Sequence, residues 1–229
     1  MKKVAISQSN YIPWRGYFDL IASVDEFVIY DEMQYTKRDW RNRNKIKIEN
    51  DSLLLTVPVK VKGKFMQKIC DTEISGTSWK KKHWQSIKLN YSKAPFFKDI
   101  EKELENIYCK EDYYYLSQLN RRFIDLICQY LNIKTNIRDS CEFDLKENKT
   151  ERLINICKDL DADEYISGPA AKEYINPQDF EKNNIKLTYI DYSIYQNYKQ
   201  LKGKFIDNLS TLDLIFNCGK SSVDYMQYA

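Results

Sequence analysis

The stretch that decides the fold is Val4-Ala5-Ile6, followed by Gln8-Ser9-Asn10-Tyr11-Ile12-Pro13-Trp14-Arg15-Gly16-Tyr17-Phe18. A short apolar strand runs here into a polar, aromatic loop and a predicted helix, and a second apolar run follows from Phe27 to Tyr30. This is the pattern of an α/β unit, whose loops meet at the carboxyl edge of a parallel sheet, where ligands bind. A loop that only turns the chain is typically built from Gly, Ser and Asp, so these Gln, Tyr, Trp and Arg side chains predict a binding site.

A second polar loop begins at Asp31 and continues into a basic stretch between Lys37 and Lys47. Asp31 directly follows a strand, where a carboxylate can act as a base, accept from a sugar hydroxyl or bind a metal. Arg41 and Arg43 share one face if this stretch is extended, and paired guanidiniums match the oxygens of a phosphate or carboxylate. A solvated charged face and a nucleic-acid contact remain the alternatives for this stretch. In the two loops we predict ligand contacts by Gln8, Asn10, Tyr11, Trp14, Tyr17, Gln34, Trp40, Arg41, Asn42, Arg43, Asn44 and Lys47.

His83 is the single histidine of the chain, and it lies on a predicted helix beside a lysine run. A lone imidazole is suited to act as a base near pH 7, and the alternative is a surface histidine without a function. After a later strand, Ser167 can exchange hydrogen bonds and Gly168 permits close approach of a ligand. In this part of the chain we predict ligand contacts by Asn90, Tyr91, Ser167, Gly168, Asp191, Tyr192 and Asn217.

Apolar periodicity predicts the remaining elements. Further strands are expected at residues 53–61, 132–137 and 187–191, with a weaker one around residues 68–70. Helices are expected at residues 79–91, 97–108, 116–131, 151–160 and 211–216, and another short helix begins with residues 177–181. Thr150 and Ser210 are the predicted N-caps of the helices that they precede. Strands alternate with helices at both ends of the chain, while helices dominate the middle. We therefore expect one Rossmann-like α/β domain over residues 1–229, with a mostly parallel sheet and a helical insertion near residues 79–131.

The composition excludes several classes of protein. The 229 residues carry a net charge of only +3, too balanced for a protein that wraps nucleic acid non-specifically. No stretch approaches the ~18 consecutive apolar residues of a membrane-spanning helix, and no long apolar region follows the charged start, so we expect no signal peptide. Six cysteines without a Cys-x-x-Cys spacing predict free thiols and a cytoplasmic location. One histidine leaves few ligands for a metal site, and none is predicted.

Four motifs together resemble a known family. They are Gln8-x-x-Tyr11-x-Pro13-Trp14-x-Gly16-Tyr17-Phe18, the stretch from Asp31 through Asn44, Tyr165-Ile166-Ser167-Gly168-Pro169, and Phe216-Asn217-Cys218-Gly219. Their order and spacing resemble the bacterial WbqC-like proteins nearly from end to end. The resemblance implies a place among proteins of surface-polysaccharide and sugar-modification gene sets, and it implies no particular reaction.

Three hypotheses for the function follow. In the first, the protein is a transferase acting on a nucleotide-linked sugar or related phosphorylated metabolite in surface-glycan biosynthesis, the glycan part of which comes from the resemblance. Arg41, Arg43 and Lys47 would hold the diphosphate, and Asp31 or His83 would deprotonate the acceptor. In the second, the protein binds such a ligand without chemistry. The third and weakest is an RNA or tRNA contact through residues 37–47. The residues identify neither a cofactor nor an oligomeric state.

Overall fold

The computed structural model describes residues 1–145 and 148–229 of the chain. The strands are β1 (Lys3–Ser7), β2 (Glu26–Ile29), β3 (Arg43–Lys47), β4 (Ser52–Thr56), β5 (Asn136–Asp139), β6 (Glu164–Ser167) and β7 (Lys186–Tyr189). The helices are α1 (Arg15–Ala22), α2 (Ser78–Tyr91), α3 (Glu101–Cys109), α4 (Leu116–Leu131), α5 (Lys149–Asp159), α6 (Pro177–Glu181) and α7 (Thr211–Cys218). Short 3₁₀ helices span Phe97–Asp99, Ser140–Glu142, Pro169–Glu173 and Gly219–Tyr225.

Five strands form one parallel sheet in the order β5-β2-β1-β6-β7, and β3 and β4 form a separate antiparallel hairpin. This confirms the expected Rossmann-like α/β fold with a parallel sheet. The chain builds the sheet outward from β1 in one direction through β2 and β5, and then in the other direction through β6 and β7. The strand order therefore reverses between β1 and β6, which is the position where open α/β sheets bind their ligands.

The central strand β1 separates two hydrophobic cores. Ala5 belongs to the larger core, which also contains Phe123 of α4. Val4 and Ile6, which point to the opposite face because side chains alternate along a strand, belong to a smaller core with Phe180 of α6. Helices α2, α3 and α4 follow one another between β4 and β5, as the predicted helical insertion does, and they pack into the larger core. The division into domains stays a prediction.

Several element boundaries differ from the predicted ones. Strand β4 ends at Thr56 rather than at residue 61, before Pro58, which has no N–H to donate to a ladder. The strand expected at residues 132–137 is β5, which begins four residues later. The N-cap of α5 is Asn148, whose side chain accepts from the Thr150 amide, so the predicted Thr150 cap is wrong. The predicted bounds of α4, the start of α6 at Pro177 and the Ser210 cap of α7 are confirmed. Of the weaker strand expected around residues 68–70, only an isolated bridge between Lys68 and Gln34 forms.

Three further observations concern thiols, metals and membranes. All six cysteines are free. Within the part of the chain that the structure describes, no three His, Cys, Asp or Glu side chains come together as a metal site would require. In the same part, no helix combines the length and the apolar character needed to cross a membrane.

Candidate functional site

A cavity of about 640 Å³ opens at the carboxyl ends of β1 and β6, where the strand order reverses. Gln8, which follows β1, and Ser167, which ends β6, both line it. Two loops that are far apart in the sequence therefore face one cleft. Small-molecule sites typically enclose roughly 300–1,000 Å³, so the cavity has the size of a metabolite site.

The lining combines aromatic rings with polar side chains. The aromatic members are Trp14, Tyr17, Tyr30, Trp40, Tyr165, Tyr174 and Tyr192. The polar members are Ser7, Gln8, Asn10, Arg41, Thr150 and Ser167, with Gly168 beside them. Among the residues that the structure describes, Arg41 is the one charged side chain in this lining. The cavity is thus suited to a ligand with a flat or apolar ring and one anionic group.

Arg41 is held in the cavity wall by the first loop. Its Nη2 donates to Oε1 of Gln8 over 2.8 Å, and its Nη1 donates to Oδ1 of Asn10. The carboxylate of Asp39 lies 3.6 Å from Nη2. Side chains from two loops thereby fix the orientation of one partly buried guanidinium, which reduces the conformational entropy that the Arg41 side chain would lose on binding an anion.

Of the two arginines predicted to act as a pair, Arg41 lines the cavity and Arg43 does not. Arg41 lies in a turn, and β3 begins only at Arg43, which pairs with Thr56 of β4. Asn42 accepts from the Val57 amide through its carbonyl oxygen over 2.8 Å and donates its side-chain amide to the carbonyl oxygen of Val57 over 2.7 Å. The chain bends at Asn42, and Arg43 lies outside the cavity lining.

Asp31 lies beneath the loops rather than in the cavity. Its buried carboxylate accepts from the Ser9 amide over 2.8 Å and from the Ser9 hydroxyl over 2.7 Å. Asn120 of α4 donates both to Ser9 Oγ and to the carbonyl oxygen of Arg41. Burial raises the pKa of the Asp31 carboxyl to about 6, although the Ser9 hydrogen bonds and the Arg41 charge oppose the rise. The contacts of Asp31 thus position the two loops.

His83 is also buried away from the cavity. Its Nδ1 shares a 2.8 Å hydrogen bond with the hydroxyl of Tyr11, which lies 2.5 Å from the hydroxyl of Tyr108. Burial lowers the pKa of His83 to about 4, and a hydrogen bond to the Thr56 backbone opposes this shift only in part. The imidazole is therefore neutral at pH 7 and packs among aromatic rings in the larger core. The structure brings neither His83 nor Tyr11 into the lining.

Other predicted contacts in the basic stretch support the backbone. Asn44 donates to the carbonyl oxygens of Tyr11 and Ile12, and Ile12 has a positive φ of 43°. The Lys47 amide donates to the Tyr91 hydroxyl over 2.7 Å, and the Lys47 ammonium donates to the carbonyl oxygen of Lys204. Lys47 is therefore separated from Arg41 and does not line the cavity.

The remaining predicted contacts outside the lining also have protein partners. Tyr91 donates to Asp213 Oδ1 over 2.8 Å, and Asn217 donates to the carbonyl oxygen of the same Asp213. Gln34 donates to the carbonyl oxygen of Phe65, Asn90 donates to that of Ser86, and Asp191 accepts from the Ser193 amide. None of these five predicted residues lies in the lining that the described chain forms.

Trp14 and Tyr17 form the wall next to α1. The Trp14 ring packs over Gly16, where any Cβ would overlap it, and meets the Tyr192 ring edge-on at a centroid distance of 4.9 Å. The Tyr17 hydroxyl is buried and has no hydrogen-bond partner. A buried unpaired hydroxyl costs stability, and a ligand in the cavity could supply the missing partner.

Comparison with known proteins bears on the identity of the chain. The sequence model of the WbqC-like protein family matches residues 8–225. The chain belongs to this family. It is 54% identical to "Uncharacterized protein Rv1507c" of Mycobacterium tuberculosis over 228 residues, which cover 100% of this chain and 99% of the relative. The comparison with solved structures finds no match.

Part of the cavity of this WbqC-like protein was not predicted from its sequence. Tyr30 and Tyr165 lie in or just after strands, so their position near the carboxyl edge of the sheet could have identified them. Thr150 of α5 had only a capping role in the prediction, and Tyr174 follows a 3₁₀ helix that the sequence does not signal. Trp40 and Tyr174 remain 45% and 68% exposed, so they form the outer part of the cavity.

Proposed function

We propose that this protein binds a phosphorylated, ring-containing metabolite of surface-glycan assembly, such as a nucleotide or nucleotide-linked sugar, in the cavity between β1 and β6. The observation that carries the proposal is Arg41, a single oriented guanidinium in an otherwise uncharged, aromatic lining. The glycan pathway is supported by membership in the WbqC-like family.

The anionic part of the ligand is assigned to Arg41. A guanidinium has five N–H donors in a planar fork, and the bonds to Gln8 and Asn10 leave donors for a phosphate or carboxylate oxygen. One cation matches one phosphate group better than a clamped diphosphate, because Arg43 and Lys47 lie elsewhere. If the ligand is a nucleoside diphosphate derivative, its second phosphate has to rest on amides and hydroxyls such as Asn10 and Ser167.

The ring of the ligand is assigned to the aromatic walls. Sugar and base faces pack well against Tyr and Trp side chains, whose polar tips can also accept or donate hydrogen bonds. The inner wall offers Trp14 and Tyr17, and the outer part offers Trp40 and Tyr174. A ligand with two ring systems joined by phosphate would use both regions.

A more specific proposal is that the protein is a transferase, which moves a group to or from this ligand. It needs a base that reaches the acceptor, and neither Asp31 nor His83 lines the cavity. Binding without chemistry is therefore the second candidate function, and the burial of these two side chains favours it.

A thermal-shift screen tests the binding proposal, because a ligand of the native state raises the melting temperature by mass action. We would compare nucleoside monophosphates, nucleoside diphosphates and nucleotide-linked sugars with the corresponding nucleosides and free sugars. Stabilisation by the phosphorylated compounds alone is the expected result. A protein that responds to none of them, or equally to both sets, would contradict the proposal.

A compound that stabilises the protein in this screen can then be used to distinguish a transferase from a binding protein. The protein would be incubated with this compound and an amino- or hydroxyl-bearing sugar acceptor while ³¹P NMR follows the phosphate resonances. Loss of the phosphate ester with release of the nucleotide supports a transferase when its rate is proportional to protein concentration and it requires the acceptor, since the same loss without acceptor would be hydrolysis. An unchanged spectrum with saturable binding supports a binding protein.

A further inference from the structure

Two adjacent apolar side chains protrude from the turn that spans residues 61–68. Phe65 is 75% exposed and Met66 is 74% exposed. Isolated exposed apolar residues are common on protein surfaces, but two large neighbours at the tip of one turn form a patch. The patch lies outside the cavity lining, so the proposed metabolite site does not account for it.

This tip is held in one conformation by hydrogen bonds. The Lys64 amide donates to the carbonyl oxygen of Val61, and the Gln67 amide donates to that of Lys64, which makes two successive turns. The side chain of Gln34 donates to the carbonyl oxygen of Phe65 over 2.9 Å, from the neighbouring loop. Phe65 and Met66 are therefore presented to solvent by a braced backbone, and little further ordering is needed to bury them against a partner.

Lysines surround the apolar tip. Lys60 and Lys64 each lie 2.6 Å from a carboxylate oxygen of Glu73. Lys62 and Lys68 are exposed, and within the described chain neither has an acidic partner. The tip thus combines an apolar pair with positive charge that the protein leaves unneutralised.

We propose that residues 61–68 dock on the surface of an anionic lipid membrane. Phe65 and Met66 lie at the boundary between the headgroups and the acyl chains, and Lys62 and Lys68 lie beside the headgroups. Insertion of apolar side chains beside basic ones combines the apolar and the electrostatic attraction by which proteins bind reversibly to anionic membrane surfaces. A second copy of the chain fits this tip less well, because it would bring lysines against lysines. Two side chains are also far smaller than the roughly 1,200 Å² of a stable protein interface. The proposal is independent of the proposed metabolite.

Vesicle flotation tests this docking. The full chain would be floated with vesicles of phosphatidylcholine alone and with vesicles that contain phosphatidylglycerol. The variant Phe65→Ser/Met66→Ser removes the apolar pair, and Lys62→Gln/Lys68→Gln removes the free charges. Ile194→Ser is the matched control, because Ile194 is also exposed, at 61%, but is not flanked by lysines.

Wild type should float with the anionic vesicles, more weakly at high salt, and not with the neutral ones. The Phe65/Met66 variant should lose at least about tenfold in partitioning, because both apolar side chains are removed. The lysine variant should also bind more weakly and show a flatter salt dependence, while Ile194→Ser should match wild type. Absence of flotation, or equal loss in Ile194→Ser, would overturn the proposal. Sedimentation velocity tests whether the tip instead binds a second copy of the chain. If wild type does not bind vesicles but self-associates, and the Phe65/Met66 variant does not self-associate, the tip is an interface between two copies.

Discussion

Arg41 donates from Nη2 to Oε1 of Gln8 over 2.8 Å, and this bond joins the loop after β1 to the loop after β2 at the wall of the cavity. The guanidinium is therefore oriented before any ligand arrives. Its orientation depends on planar fork geometry, which a lysine ammonium does not have.

Arg41→Lys should weaken binding of a phosphorylated ligand, whereas Arg43→Lys should not. Losing a charge-assisted hydrogen bond costs about 1.5–3 kcal/mol, or roughly tenfold to a hundredfold in affinity. Arg43 has the same charge and lies two residues away but outside the lining, so it is the matched control. Calorimetric titration of both variants with a hit from the thermal-shift screen measures the difference. Equal affinities in wild type and both variants would refute the role of Arg41.

Tyr17→Phe should leave the free energy of unfolding unchanged or raise it by up to about 1 kcal/mol, because it removes a buried hydroxyl that has no partner. Tyr11→Phe is the control, since the Tyr11 hydroxyl is bonded to His83 and Tyr108, and its loss should cost about 1–3 kcal/mol. Urea unfolding gives both values. If the ligand supplies the missing partner of Tyr17, Tyr17→Phe also lowers ligand affinity. An equal loss of stability in both variants would show that the Tyr17 hydroxyl has a partner after all.

Asp31 and His83 should make opposite contributions to stability between pH 4 and pH 6. Burial raises the pKa of Asp31 from 3.8 to about 6, so the native state binds more protons in this range and stability falls as the pH rises. Burial lowers the pKa of His83 from 6.5 to about 4, so the unfolded state binds more protons and stability rises with pH. Each shift corresponds to about 3 kcal/mol over its range, and in wild type the two nearly cancel.

In each single variant, the free energy of unfolding should show the pH dependence of the group that remains. Asp31→Asn leaves the His83 contribution, so its free energy of unfolding, taken relative to wild type, should increase from pH 4 to pH 6. His83→Asn leaves the Asp31 contribution and should change in the opposite direction. Urea unfolding at several pH values measures both slopes, and the double variant should match the pH dependence of wild type. Parallel pH profiles for wild type and the two single variants would contradict the pKa shifts.

Gly16→Ala should destabilise the protein, whereas Gly168→Ala should not. A Cβ at Gly16 overlaps the Trp14 ring, and overpacking of about 1–3 kcal/mol exceeds the roughly 1 kcal/mol that alanine gains in a helix. At Gly168 a Cβ meets nothing within 4 Å, and the φ of −69° suits any residue. Stability is read from urea unfolding. If Gly168→Ala retains stability but loses ligand affinity, the ligand approaches the backbone there. A Gly16→Ala variant as stable as wild type would mean that Trp14 can move away.

The sequence predicts the strand ends at the cavity better than it predicts the roles of their side chains. The apolar runs of β1 and β2 are buried on both faces, and such runs are recognisable without knowledge of tertiary contacts. The turn at Arg41 and the bend at Asn42 interrupt the extended chain that the sequence predicts, and Asn42 bonds there to Val57, a contact that no local pattern encodes. The burial of His83 likewise depends on the distant residues Tyr11 and Tyr108.

The pairing of β1 with β6 joins segments that are more than 150 residues apart in the chain, and the cavity lies across this seam. Parallel pairing over so long a separation is slow, because the loop must close before the contacts that reward it can form. The cavity therefore does not exist in a chain that has folded only its first half. A ligand that bridges Gln8 and Ser167 can bind only after this seam has closed, so it would slow unfolding while leaving the folding rate nearly unchanged.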